Sequence, residues 1–498
     1  MKNLFFLKTI IVLLFLATVP VFSQDYEISV ALNSRNDTVL MGYYFAKSDR
    51  MYSSDTMILK NGKGVFRGGK QLAKGVYFLY SGGRKLDFLI GDNHKFGIAA
   101  DTADFVNLTK FASSPDNEVF WQYQHLMVER GKQQQQLGEL YRNATSDDER
   151  NDVRAKQINL NKESLENIDQ LIEDNSHLFV SRYIRSLIPT EARLPEPPRD
   201  EQGRITDSTY VYRWYRAHFF DNLNIYDPDM LRTQFYEQKL LDYLTKVIPQ
   251  QADTVCVELD KILKKAQEND EIFKYILITV FNHFAGSKSL REGYLVPENV
   301  KLHLAEKWYI PYATWSSEEF IKQCKEDVAN NKMNRMDHPA PPIEPLLVLP
   351  PEHFKAAALD TAIKNDIYVG RVINDFRKEL KSKFTILFFW DYSCGHCKTA
   401  IQELQNAWEE LKRDDYQIIA VQIVTTKEAK AKWIDFINEH NMFDWINAWS
   451  PYAYSAENYY RETYNLAVVP KMYLLDENSI IVLKNIVPEQ LKDIIPKK

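Results

Sequence analysis

The rhythm of apolar and polar positions changes three times along the chain. From residue 25 to about residue 112, segments such as "YEISVALN", "TVLMGYYFA" and "GVYFLYSGG" alternate apolar and polar residues or form short apolar runs. A period of two marks a strand with one buried face. The turn sequences "NGKG", "RGGK", "SGGR" and "GDNH" separate these segments. The pattern predicts a small β-sandwich over residues 24–115. From about Asn117 the apolar positions recur at helical spacing, in "VFWQYQHLMVERGKQQQQLGELYRNA", "SLENIDQLIEDN", "CVELDKILKKAQ" and "EEFIKQCKEDVANN". This predicts an all-α domain over residues 116–335. Within it, "EIFKYILITVFNHFAG" is strongly apolar but shorter than the ~20 residues a membrane span needs, so it reads as a buried helix. Beyond it, strands and helices alternate, which means α/β. "FTILFFW" and "YQIIAVQIVT" read as buried strands, "WINAW" as a short one, and "CKTAIQELQNAWEELKRD" and "TKEAKAKWIDFINEHN" as helices. "KMYLLD" and "SIIVLK" pair across "ENS" as an antiparallel hairpin at one sheet edge. This domain is expected over residues 356–498. The stretch "HPAPPIEPLLVLPP", with six of the chain's 20 prolines, reads as a linker over residues 336–355.

A chain of 498 residues is too long for one core, in keeping with this multi-domain reading. The net charge of -6 and the lack of a Lys/Arg block argue against a nucleic-acid binder. The first residues change the picture more. Lys2 and Lys8 precede an apolar stretch, Pro20 ends it, and small Ser23 precedes Gln24. Residues 1–23 read as a cleaved secretory signal rather than an anchor, which predicts export, with the periplasm as destination. No cysteine follows the apolar run, so a lipid anchor is not expected.

Four cysteines in an exported chain of this length do not make a disulfide scaffold. Two of them matter for chemistry. In "FFWDYSCGHCKTA", Cys394 falls between a buried strand and a helix. Helix N-termini carry free N–H groups and partial positive charge, and both favour a thiolate, the attacking species in disulfide exchange. Cys397 follows one turn later on the same face, where it can resolve a mixed disulfide. His396 between them is a candidate for tuning the Cys394 thiolate. A zinc site needs more ligands than this pair, and no second Cys-x-x-C exists. A c-type haem needs His after the second cysteine, where Lys398 stands. No metal or organic cofactor is therefore expected; the redox group is the Cys394–Cys397 pair itself. An inert structural disulfide is the remaining rival. Cys256 and Cys324 sit on apolar helical faces and read as small buried hydrophobes, although a disulfide between them would close a long loop.

At these residues the chain resembles the thioredoxin superfamily. The resemblance covers roughly the last 130 residues and rests on "FTILFFW", on "CGHC" opening a helix and on "AVVPKMYLLD". It implies a thioredoxin-like fold and a cis-proline at Pro470. With Val469, that proline would lie against the sulfurs and present backbone to the substrate. Within the superfamily the exported setting is similar to TlpA-like periplasmic thiol–disulfide proteins, and "CGHC" matches protein disulfide isomerases. Three departures stand out. Ser393 replaces the aromatic residue before the first cysteine, with Tyr392 one position earlier. Phe388 stands where thioredoxin carries a buried acid. Ala400 stands where TlpA-like reductases carry Glu, and Asp391 is the acid that could substitute. Tyr392 and Trp390 are candidates to line a substrate groove, though Trp390 at a strand end also suits the core. The expected function is thiol–disulfide exchange with protein thiols, with Cys394 attacking and Cys397 resolving. A membrane-borne redox partner and self-association through the upstream domains are further expectations. The rival reading is a cell-envelope scaffold with a static cysteine pair. A thioredoxin-like peroxidase is weaker, because its attacking cysteine needs no partner at this spacing.

Overall fold

The computed structural model describes residues 25–491 except 35, 287–295, 344, 366–369, 412–414, 425 and 450–459. The expected export signal, residues 1–23, lies outside the described residues. Among those residues, no helix is long and apolar enough to cross a membrane. The chain divides into two compact units, residues 1–240 and 241–498.

The first unit begins with eight strands: β1 (Tyr26–Asn33), β2 (Thr38–Tyr44), β3 (Met51–Ile58), β4 (Lys63–Gly68), β5 (Gly75–Ser81), β6 (Arg84–Ile90), β7 (Lys95–Asp101) and β8 (Lys110–Ala112). They form two four-stranded sheets, ordered β4-β1-β7-β8 and β3-β2-β5-β6. Alternation along β1 buries Tyr26, Ile28, Val30 and Leu32, which join Val39, Met41, Leu79 and Phe88 of the other sheet in one core. The turns follow from their residues. In "NGKG", Asn61 and Gly62 both take positive φ, and Lys60 and Lys63 exchange backbone hydrogen bonds. That is the geometry of a two-residue hairpin turn, which Asn-Gly suits. The sandwich is followed by two long helices, α1 (Pro115–Asn143) and α2 (Asp147–Asp174). Ser146 and Glu149 close a capping box at the start of α2. Gln133 to Gln136 are exposed, as their polarity demands.

In the second unit, α3 (Ala252–Ala266), α4 (Asp270–Gly286), α5 (Val296–Leu304) and α6 (Glu318–Asn331) precede a seven-stranded sheet. The apolar run expected as a buried helix is α4, which buries Ile276, Leu277, Val280 and Phe281. The sheet comprises β9 (Leu346–Val348), β10 (Arg371–Ile373), β11 (Phe384–Trp390), β12 (Tyr416–Gln422), β13 (Ile446–Trp449), β14 (Lys471–Asp476) and β15 (Ile481–Lys484). Its order is β10-β9-β13-β12-β11-β14-β15. β11, β12 and β13 are parallel neighbours, whereas β14 runs antiparallel to β11 and pairs with β15. Helices α7 (Gly395–Leu411) and α8 (Lys427–Glu439) pack on one face through Ile401, Leu404, Trp433 and Ile437.

The proline-rich stretch is not a linker. Its six prolines leave "LLV" uninterrupted, and those residues form β9, paired with β10 and β13. Upstream, the Asp337 and Ala340 amides donate to the Ile481 and Ser479 carbonyls, beside β15 at the opposite edge. Residues 337–343 therefore strap across the second face of the sheet. Ala340, Ile343 and Leu346 are fully buried there against Phe389 and Tyr473. Proline supplies no amide donor, and an extended strap that crosses a sheet face needs few. The segment "AENYYRETYNL" also has a helical pattern; part of it lies outside the described residues, and its described part is helical over Tyr460–Thr463.

Candidate active site

Parallel strands end together, and the loops that follow them share one edge of the sheet. β11 ends at Trp390, and a tight turn carries the chain from Asp391 to Cys394. The Asp391 carboxylate accepts from the Ser393 amide (2.8 Å) and hydroxyl, and the Asp391 carbonyl accepts from the Cys394 amide (3.1 Å). α7 starts at Gly395, which puts Cys394 immediately before its first turn and Cys397 within it. The Cys397 amide donates to Cys394 Sγ at 3.4 Å, and Cys394 Sγ donates to the Val469 carbonyl at 3.6 Å. The Val469–Pro470 peptide is cis, the geometry implied by the resemblance. Pro470 leads directly into β14, which pairs with β11 through Phe389 and Lys471, so sheet pairing sets the Val469 carbonyl against the sulfur.

The two sulfurs live in different surroundings. Both are thiols here; Cys394 is half-buried and Cys397 is fully buried. Burial pushes the Cys397 thiol well above its ordinary range. A hydrogen bond with the Asp391 backbone pulls the other way, and the neighbouring Cys394 adds to the rise. His396 is exposed, and its ring makes no hydrogen bond or ion pair among the described residues. Tyr392 is half-buried, with Lys432 Nζ 5.9 Å from its ring centre.

Trp390 is a correction. It cannot line a substrate groove, because it is fully buried with its ring centre 5.2 Å from that of Phe436. Alternation along β11 turns Ile386, Phe388 and Trp390 toward α7 and α8, and only residues after the strand reach the surface. Phe388 and Ala400 are buried in the same cluster, so neither position offers a carboxylate.

Sequence reasoning passed over Gln422. It stands beside Trp390 on β11 and Trp449 on β13 in the strand register, on the face that carries Cys397. It is fully buried, and its amide oxygen and nitrogen have no partner among the described residues. A Gln inside a Val/Ile-rich strand was its only signal. Also passed over was a polar knot at Asn334 and Lys484, which sequence separation hides. Among the described residues, no group of three His, Cys, Asp or Glu side chains is placed to hold a metal ion. Cys256 and Cys324 are free thiols, half-buried and buried respectively.

Comparison with known families agrees with this geometry. Residues 359–484 match the AhpC/TSA family, and residues 160–296 match a domain of unknown function, DUF5106. A search of curated proteins found no match. Among solved structures, a thioredoxin-like protein from Bacteroides caccae is similar at 17% identity, over 60% of this chain and 96% of its own, with a TM-score of 0.34. The thioredoxin domain of a thiol-disulfide oxidoreductase from Bacteroides vulgatus is similar at 18% identity, over 32% of this chain and 94% of its own, with a TM-score of 0.25. StoA from Bacillus subtilis is similar at 22% identity, over 26% of this chain and 92% of its own, with a TM-score of 0.21. With the sheet order, the dithiol at the start of α7 and the family match all falling on one segment, the C-terminal part of this chain is a domain of the thioredoxin superfamily.

Proposed function

We propose that this domain exchanges disulfides with protein thiols, in the periplasm, using Cys394 as nucleophile and Cys397 as resolving thiol. In the reducing direction the Cys394 thiolate attacks a substrate disulfide. A Cys394–substrate S–S bond forms, the substrate S–S bond breaks, and the departing thiolate takes up a proton. The Cys397 thiol then loses its proton and attacks Cys394 Sγ. The Cys394–Cys397 bond forms, and the second substrate sulfur leaves as a thiol. Two electrons pass from the dithiol to the substrate; in the oxidising direction every step reverses. The resulting disulfide, or dithiol, is restored by a membrane-borne thiol–disulfide partner. Pro470 and Val469 supply the backbone against which the substrate sulfur docks.

The observation that carries this reading is the setting of Cys394 Sγ, between the Cys397 amide at 3.4 Å and the Val469 carbonyl at 3.6 Å. A donor faces the sulfur from one side, the contact that an anionic sulfur accepts best. Cys397 waits one turn beneath. The test is the reduction potential of the pair in glutathione buffers. A value near about -270 mV makes the protein a reductase, and one near about -180 to -120 mV makes it an oxidase or isomerase. A pair that exchanges in neither direction leaves the scaffold reading in its place.

A further inference from the structure

The helical segment of the second unit reaches the loop that carries Val469. Asn334, in the turn after α6, is 1% exposed. Its amide nitrogen donates to the Thr463 carbonyl at 2.6 Å, and its amide oxygen accepts from Lys484 Nζ at 2.8 Å. Lys484, on β15, also donates to Asn331 Oδ1 at 2.9 Å and pairs with the Glu298 carboxylate. A buried ammonium group is costly unless its donors are met, so this knot holds together only in this arrangement. It fixes the end of α6 against residues 461–467.

Between the two walls lies a cleft of about 740 Å³, within the size range of ligand sites. Ala329, Asn330 and Met333 line one wall; Arg461, Glu462 and Ala467 line the other. Met333 is 59% exposed, and Val468, next along from Ala467, is 75% exposed. Val468 precedes the residue whose carbonyl meets Cys394 Sγ. At roughly 3.3 Å per extended residue, the cleft begins two or three residues from the reacting sulfur.

We propose that this cleft is a subsite for an extended, unfolded segment flanking the reacting cysteine of a protein substrate. An apolar side chain about three residues from that cysteine packs against Met333 and Val468. Ala467, the last residue of the cleft wall, stands two residues before Val469, whose carbonyl meets Cys394 Sγ, and that proximity along the chain argues for this occupant. The inference rests on the exchange reading above, and one experiment separates the two. The pre-reduced full-length protein is mixed with oxidised glutathione, or with a decapeptide whose single cysteine is glutathionylated and which carries Leu or Asp three residues away. Second-order rate constants are read in a single turnover for wild type and for Met333→Glu, a change at an exposed position whose melting temperature is checked alongside.

Wild type is expected to favour the leucine peptide over the aspartate peptide about tenfold, the worth of one partly buried apolar side chain. Met333→Glu is expected to lower the ratio of leucine-peptide rate to glutathione rate about tenfold. A wild-type preference below twofold, or a Met333→Glu ratio within twofold of the wild-type ratio, with wild type reducing every compound, overturns the subsite and leaves exchange standing. Wild type exchanging with none of them in either direction, neither as the dithiol with these disulfides nor as the oxidised pair with reduced glutathione and the reduced peptides, overturns the exchange reading and the subsite with it.

Discussion

Cys394 and Cys397 differ in exposure, and on the proposed exchange reading that difference orders the chemistry. The half-buried sulfur would meet the substrate, and the fully buried one only its neighbour. Cys397→Ala is therefore expected to accumulate a stable mixed disulfide with a glutathionylated peptide, seen by mass spectrometry, whereas Cys394→Ala forms none. Burial also makes thiols sensitive to alkali; it raises Cys324, and two others further. It pushes Cys397 well up, and it raises Cys256 to about 12 with help from Asp260 and Asp253. Both groups hold their protons more tightly folded than unfolded, where a thiol titrates near about 8.5. Their contribution to stability is thus complete below about pH 8.5 and is lost as pH rises through the folded values. The urea midpoint should fall between pH 8 and pH 10, and fall less in Cys256→Ala; a flat profile in wild type contradicts this. Gln422 carries the opposite message. Its buried amide lacks partners, and such a group costs about 1–3 kcal/mol. Gln422→Leu should raise the melting temperature; a lower one would mean that the amide is satisfied after all. No rule of spacing singles out this residue, because a lone polar side chain in a strand gives the same pattern whether it faces a partner or apolar neighbours.

At the scale of elements, the sequence pattern predicts the strands of the sandwich, α4, β11, β12 and the β14–β15 hairpin, because each has one clean period and marked ends. It misleads where tertiary pairing overrides composition. Prolines at 339, 341, 342, 345, 350 and 351 argue for a linker, yet the proline-free "LLV" between them is a strand and the rest is a strap. Trp390 is ambiguous for a related reason: the last residue of a strand faces core or solvent according to one step of register. The paired cysteines are legible because their spacing is local, within four consecutive residues. The knot at Lys484 is not, since Glu298, Asn331 and Asn334 lie more than a hundred residues upstream. Burial holds the Lys484 ammonium below its usual range, so the strand and α6 support each other through a group that dislikes its site. Lys484→Met strands the partly buried Glu298 carboxylate and should cost roughly 3–5 kcal/mol in urea unfolding. Adding Glu298→Gln should recover part of that loss, and a double-variant loss equal to the sum of the two single losses would show that the two groups act independently.

For the whole molecule, the segment that matches a family is smaller than the body that can stand alone. The family match spans 359–484, and the sequence pattern places the domain start at 356. A fragment beginning there lacks β9, the strap over 337–343 and all three partners of Lys484. The sheet face formed by Leu387, Phe389, Val421 and Tyr473 would lose Ala340, Ile343, Leu346 and Val348, which bury it. The Ile343, Leu346 and Val348 side chains each contribute about 1.5–3 kcal/mol, so their joint loss rivals the 5–15 kcal/mol that holds a domain folded. The compact unit begins instead at Leu241 and contains both core clusters, the dithiol and the knot. A fragment of residues 241–498 is expected to unfold cooperatively and to exchange with glutathione at the full-length rate. A fragment of residues 356–498 is expected to bind a hydrophobic dye, to show no cooperative melt and to aggregate. If the shorter fragment melts cooperatively, the strap is a covering rather than a part of the core, and the domain starts where its composition changes.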